Sequence, residues 1–171
     1  MVIETLQLLR TIGHSTLRSM MMSENLVWTK VVKETNELTT SELLAILKER
    51  VRVFVVEQDC AYQEVDDADD QAIHVIFKNS DDIVAYARIL KDNDQIKFGR
   101  VLVTKQYRGQ HVGRKLIEAV LSEIERYFPA ENIYIQAQSY LENFYASFGF
   151  ETTSAEYLED NIPHKDMVLK K

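Results

Sequence analysis

The segment Arg108-Gly109-Gln110-His111-Val112-Gly113 stands between an apolar run ending at Val103 and an amphipathic stretch that opens at Val112. A strand-to-helix junction of this kind leaves backbone N–H groups without intrahelical acceptors, gathered at the positive end of a helix dipole. Such a junction is a receptor for phosphate groups. Glycine is scarce, with five residues in the whole chain, and two of them fall here. Arg108, Arg114 and Lys115 cluster at the helix start, where cations oppose the dipole and a bound anion would relieve the conflict. His111 can still offer its backbone N–H. Its Cβ disfavours a left-handed conformation, so the spacing predicts a right-handed or extended backbone there.

A second concentration of reactive groups is acidic. Glu57, Asp59, Glu64, Asp66, Asp67, Asp69 and Asp70 follow one another without an intervening Lys or Arg. The run lacks the glycine and terminal glutamate spacing of a calcium loop, so no metal is expected. Asp69 and Asp70 read as a solvated turn. His74 lies inside an apolar run, and His164 near the end of the chain.

The elements that must position these groups follow from the hydrophobic pattern. Residues 26–32, with Trp28, read as a first strand. Thr39, Thr40 or Ser41 offers an N-cap, with Glu42 in the first turn of a helix that runs to about Gln58. Residues 73–77, 83–90 and 96–103 read as strands joined by hairpin turns. Val112, Leu116, Ile117, Val120, Leu121 and Ile124 make one stripe of a helix that Pro129 closes off. Residues 133–137 form another strand, Ser139 caps a short helix reaching Phe148, and Gly149 ends it. A final pair of strands lies between Phe150 and Lys171. The order implies an α+β fold: a mixed, mainly antiparallel central sheet with helices on both faces.

Composition narrows the function classes. The net charge of −7 argues against non-specific nucleic-acid binding. No apolar run approaches the ~20 residues needed to span a bilayer, so no membrane role is expected. The single cysteine, Cys60, excludes an internal disulfide, fits a reducing, cytoplasmic compartment, and reads as a small, partly buried thiol. Residues 1–23 read as an N-terminal extension of uncertain role, and residues 24–171 as one domain.

The spacing Arg-x-x-(Gly)-x-Gly after Val-x-Val resembles the coenzyme pyrophosphate loop of the GNAT superfamily of N-acetyltransferases, with His111 in place of the family's middle glycine. The element order is also that of the family. Phe144-Tyr145-Ala146-Ser147-Phe148-Gly149-Phe150 looks like the helix that closes the thioester end of the coenzyme site. The stretch from Arg52 to Asp69, with His74 and the later Glu159-Asp160-Asn161-Ile162-Pro163-His164, is similar to the ElaA-like branch, from about Trp28 onward. Asn161 stands where that branch often carries glycine, and asparagine tolerates the left-handed turn.

The resemblance implies an acetyl-CoA-dependent N-acetyltransferase moving an acetyl group directly to an amine. Acetyl-CoA would be the acyl-donor cosubstrate, and the acceptor a small-molecule or protein amine. Arg108, Gly109, Gln110, His111, Val112, Gly113 and Arg114 would hold the pyrophosphate. Val101, Leu102 and Val103 would present strand backbone to the pantetheine arm, which requires their strand to splay from residues 133–137. Gln138 occupies the position of a family asparagine that contacts this arm, and Asn143 would lie beside it. Tyr145 would protonate the departing thiolate. The acidic run would draw in the amine, with Glu57, His74 or His164 as its base. The alternative is a non-catalytic acyl-CoA-binding or interaction module on the same fold. A homodimer through edge strands follows by analogy alone.

Overall fold

The computed structural model describes residues 28–171. The extension at 1–23, and the first residues of the expected opening strand, lie outside the described residues. Strands β1 (Thr29–Glu34), β2 (Ile73–Asn79), β3 (Asp82–Asp92), β4 (Gln95–Val103), β5 (Ile133–Gln138), β6 (Glu151–Thr152), β7 (Tyr157–Glu159) and β8 (Ile162–Leu169) form one sheet. Its order is β1-β2-β3-β4-β5-β8-β6, with β7 paired to β8. Every pairing is antiparallel except β4 with β5.

Helix α1 (Thr40–Arg50) starts as its sequence dictates. The Thr39 side chain accepts from the Glu42 amide, and the Glu42 carboxylate accepts from the Thr39 amide, a reciprocal cap. The helix then widens into a π-helical segment, Val51–Glu57. There Gln58 N–H reaches the Val53 carbonyl and Cys60 N–H reaches that of Val55. The wider turn changes which side chains face inward, and such segments recur at functional sites.

Helix α2 (Val112–Tyr127) buries the predicted stripe. Leu116, Ile117, Val120 and Ile124 are fully buried against Val75, Ile89, Ile96 and Ile133 of the sheet. Helix α3 (Glu142–Ala146) packs into the same core. On the opposite face, α1 covers a smaller core built from Ile46, Val53, Ile76, Tyr86 and Leu102. The fold is therefore α+β, with helices on both faces of a mixed, mostly antiparallel sheet. One local expectation fails. Ser139 does not cap a helix: residues Ser139–Leu141 form a 3₁₀ turn, and the Ser139 hydroxyl is buried without a partner.

Two irregularities of β4 open the sheet beside it. Its register with β3 pairs Tyr86 with Leu102 and then Arg88 with Gly99, so Arg100 and Val101 together face the single residue Ala87. This is a β-bulge with Arg100 in the left-handed region (φ 52°). The extra residue shifts the phase of the strand. Ile96 and Phe98 face the α2 core before the bulge, and Val101 and Val103 face it after. The second irregularity is on the other edge. β4 pairs with β5 only at Ile96–Ile133 and Lys97–Tyr134, and beyond that point the two strands separate. The splay required for Val101–Val103 is present.

Candidate active site

A groove of about 1110 Å³ opens where β4 and β5 part. Val101, Leu102, Val103, Arg108, Gly113, Gln138, Glu57, Tyr145 and His164, all expected at the site, line it. Past Lys97, the β4 edge that faces the gap has lost its ladder partner. Its backbone groups are free to pair with an extended, amide-bearing chain.

At one end of the groove lies the glycine loop. Gly109 takes φ 75°, a conformation glycine adopts without strain. Lys115 N–H makes the first helical bond of α2, to the His111 carbonyl, which leaves the Val112, Gly113 and Arg114 amides without intrahelical acceptors. A Cβ on Gly113 would lie 3.7 Å from the Val103 side chain, an ordinary contact.

His111 corrects the sequence expectation. It is the N-cap of α2 and is left-handed (φ 58°, ψ 15°), neither right-handed nor extended. The loop keeps the shape a glycine would take and places histidine in it, at a cost of about 1–2 kcal/mol. His111→Gly should therefore raise stability by about 0.5–1 kcal/mol, after allowing for the greater freedom of the unfolded glycine chain. Denaturant unfolding measures this, and a destabilised variant would show that the histidine side chain makes a compensating contact.

Arg108 is held on two sides. Its Nε donates to the Val103 carbonyl (2.8 Å) and its Nη2 to Glu57 Oε2 (2.7 Å). Glu57, at the end of the π-helical segment, is thus engaged by a cation of the loop and is not a free base. Arg114 is directed elsewhere, donating to the Ser147 hydroxyl (2.8 Å) and lying over the Phe148 ring. Asn143 is exposed on α3 and does not line the groove. Gly109, Gln110 and His111 form the exposed loop, and the Val112 side chain is buried beneath it.

Tyr145 sits at the other end. Its ring packs among Phe98, Phe144 and Phe150, with centroids 6.2, 5.2 and 6.0 Å away. Burial, reinforced by Tyr140, pushes its phenol well above the usual range, so it holds its proton at neutral pH.

The three candidate bases now separate. His74 is fully buried, with Nδ1 2.8 Å from the Tyr86 hydroxyl and Nε2 2.8 Å from that of Thr35. Burial lowers its pKa to about 4. It is a neutral structural residue out of reach of any substrate, and its candidacy as a base is overturned. His164 is half-buried in the groove wall. Its Nδ1 lies 2.8 Å from the Ile162 carbonyl, which can only accept. A proton therefore resides on Nδ1, and in the neutral ring the lone pair is on Nε2.

The acidic run is also corrected. Asp69 is buried, not a solvated turn, and Glu64, Asp66 and Asp69 are matched by three arginines. Arg50, wholly buried, donates to Glu64 Oε1 (2.8 Å) and to both oxygens of Asp69 (2.7 and 3.0 Å). Arg88 joins Asp66 to Asp69, and Arg100 reaches Glu64 and Asp66 from the bulge. Burial pushes Asp69 up, but bonds from Arg50 and Arg88 prevail and hold it at about 2. These acids anchor the loop to the sheet. They offer no uncompensated charge to an amine. Gly99 beside Arg100 was the sequence signal for the bulge, since an isolated glycine in a strand marks such sites.

A sheet opened at one parallel pair, with a helix N-terminus at the mouth of the gap, offers a strand edge and an anion receptor to one extended ligand. Residues 37–171 match the acetyltransferase (GNAT) domain model, and the chain belongs to that family. It is similar to the protein ElaA of Escherichia coli K12, with 42% identity over 137 residues, covering 77% of this chain and 90% of that one. A UPF0039 protein of Schizosaccharomyces pombe is 39% identical over 143 residues, covering 82% and 95%. Among solved structures, an acyl-CoA N-acyltransferase from Pseudomonas aeruginosa superposes with a TM-score of 0.80 at 37% identity, covering 83% of this chain and 99% of that one. The crystal structure of Escherichia coli ElaA superposes equally well, at 38% identity, over 85% and 100%. No helix among the described residues is long and apolar enough to cross a membrane.

Proposed function

We propose that the protein is an acetyl-CoA-dependent N-acetyltransferase that moves the acetyl group directly to an amine, without a covalent intermediate on the chain. The separation of β4 from β5 beyond Lys97 carries this reading, because it frees a strand edge between the loop amides and the Tyr145 hydroxyl.

In this mechanism the Val112–Arg114 amides and Arg108 hold the pyrophosphate. The β4 edge hydrogen-bonds the pantetheine amides, with the Gln138 side chain alongside. A backbone N–H of Val101 or Leu102, next to the bulge, supports charge developing on the thioester oxygen. His164 Nε2 takes a proton from the acceptor ammonium, which frees the nitrogen lone pair. The neutral amine's lone pair then forms the new C–N bond as the C–S bond breaks, Tyr145 protonates the leaving thiolate, and the surplus proton on the new amide nitrogen returns through water to the Tyr145 oxygen. Cytoplasmic residence, a single catalytic domain over residues 24–171 and subunit pairing belong to the same proposal.

Calorimetry with coenzyme A, ATP and NAD tests the groove, and thiol release from acetyl-CoA across an amine panel tests the chemistry. Coenzyme A should bind, with the other two nucleotides far weaker. Failure of coenzyme A to bind would overturn the assignment of the loop. Binding without thiol release would leave an acyl-CoA-binding module.

A further inference from the structure

The β8 wall of the groove carries, beside His164, a group that the transfer chemistry does not use. Asp166 lies on β8 two residues beyond His164, on the same face, opposite Gln136 as His164 is opposite Gln138. Because β4 and β5 run parallel, the Gln138 end of β5 lies with the phosphate loop. Asp166 is therefore further into the groove, away from the pyrophosphate.

Its pairing sets it apart. Among the described residues, Glu42, Glu49, Glu64, Asp66, Asp69, Glu123 and Glu142 are carboxylates at least half removed from water, and each has a Lys or Arg within 4.0 Å. Asp166 is equally sheltered and has none among the described residues. Its Oδ1 accepts from the Tyr157 hydroxyl (2.8 Å), which itself accepts from Gln136 Nε2 (3.1 Å). The carboxylate is thus held in one orientation. The cations that line the groove cannot satisfy it, because each is already matched: Arg88 by Asp66 and Asp69, Lys97 by Asp92, Arg100 by Glu64, and Arg108 by Glu57. Glu159 and Asp160 at the rim add charge of the same sign. A sheltered, oriented and uncompensated carboxylate in a groove is a receptor for a cation.

The cation is not the reacting nitrogen. A carboxylate favours the charged form of the amine beside it, whereas attack on the thioester needs the neutral form. Resting on the acyl transfer proposed for this groove, we infer that Asp166 anchors a second, non-reacting ammonium of the acceptor. The acceptor class is then an aliphatic diamine. Its reacting nitrogen meets His164, and its other nitrogen lies roughly 6–7 Å away, the distance between side chains two residues apart on a strand.

The test is thiol release by the full chain with acetyl-CoA and alkylamines, diamines of graded length and α-amino acids. A diamine of matching span should exceed the alkylamine of equal length in kcat/KM by about tenfold or more, the value of one charge-assisted contact. Asp166→Asn, which keeps an oxygen for Tyr157, should raise the diamine KM and bring the diamine-to-alkylamine ratio close to one. Asp166→Glu should restore part of the preference. Equal use of alkylamines and diamines, or a preference that survives Asp166→Asn, would overturn the anchor and leave acyl transfer standing. Thiol release from none of the amines, with coenzyme A bound, would remove both.

Discussion

Replacing Tyr145 with phenylalanine should lower thiol release by about 10²–10⁴-fold, the usual worth of a positioned proton donor. Coenzyme A should bind the variant, by calorimetry, as it binds the unaltered chain. The contrast follows from how the residue is held. The ring is fixed by Phe98, Phe144 and Phe150, contacts that phenylalanine keeps. The hydroxyl lines the groove and is not among the buried groups left unpaired, so its removal leaves no hole and no orphan. Burial keeps the phenol protonated, which makes it a donor and not a base. A loss of less than about tenfold would assign the proton to water or another group and sink this role.

The largest effect on stability belongs to Arg50. Arg50→Met should cost about 3–5 kcal/mol, because removing one partner of a buried ion pair strands the other. Here it takes one of two cations from each of two buried acids. Glu64 is 3% exposed and Asp69 is 8% exposed, and Arg50 bonds to both. Arg88 still reaches Asp69 Oδ1 and Arg100 still reaches Glu64 Oε1, so each acid keeps one cation while Asp69 Oδ2 loses its guanidinium bond, which places the cost toward the lower end of that range. Arg52→Met is the internal control. Arg52 pairs with Glu49 at the surface, where a single pair is worth about 0–1 kcal/mol. Denaturant unfolding of the two variants should separate them clearly, and similar midpoints would mean that the cluster reorganises around the missing cation. The damage should also reach the groove, because Arg100, which lines it, is tied through Glu64 and Asp66 to the same cluster.

Much of this architecture was readable from local pattern. The stripe of α2, the hairpins between β2, β3 and β4, and the glycine-bearing loop are all written in residues close together in the chain. Physical rules that act over a few residues therefore suffice to find them. What escaped depends on partners far apart. Asp69 looked solvated because its neighbours are acids, yet its environment is set by Arg50 and Arg88, nineteen residues away in either direction. His74 looked reactive because histidine titrates near neutrality, but the Tyr86 and Thr35 hydroxyls hold it in the core. The left-handed His111 defied a sound local preference, since an N-cap is ordinarily extended, as Thr39 is at the start of α1. Asp166 carried no signal at all: its meaning lies in the cation it lacks, which only the folded pattern of ion pairs brings out.

The parting of β4 and β5 bears on how the molecule responds to load. Strands β1–β4 and strands β5–β8 are two plates, welded in the plane of the sheet by two residue pairs. Packing of both plates against α2 and α3 must supply the rest of the stiffness. A flexible chain lying in the gap would lengthen that weld by bridging the β4 edge across the cleft. An occupant of the cleft would then serve as a structural member as well as a reactant, and its departure would return the sheet to two lightly joined halves.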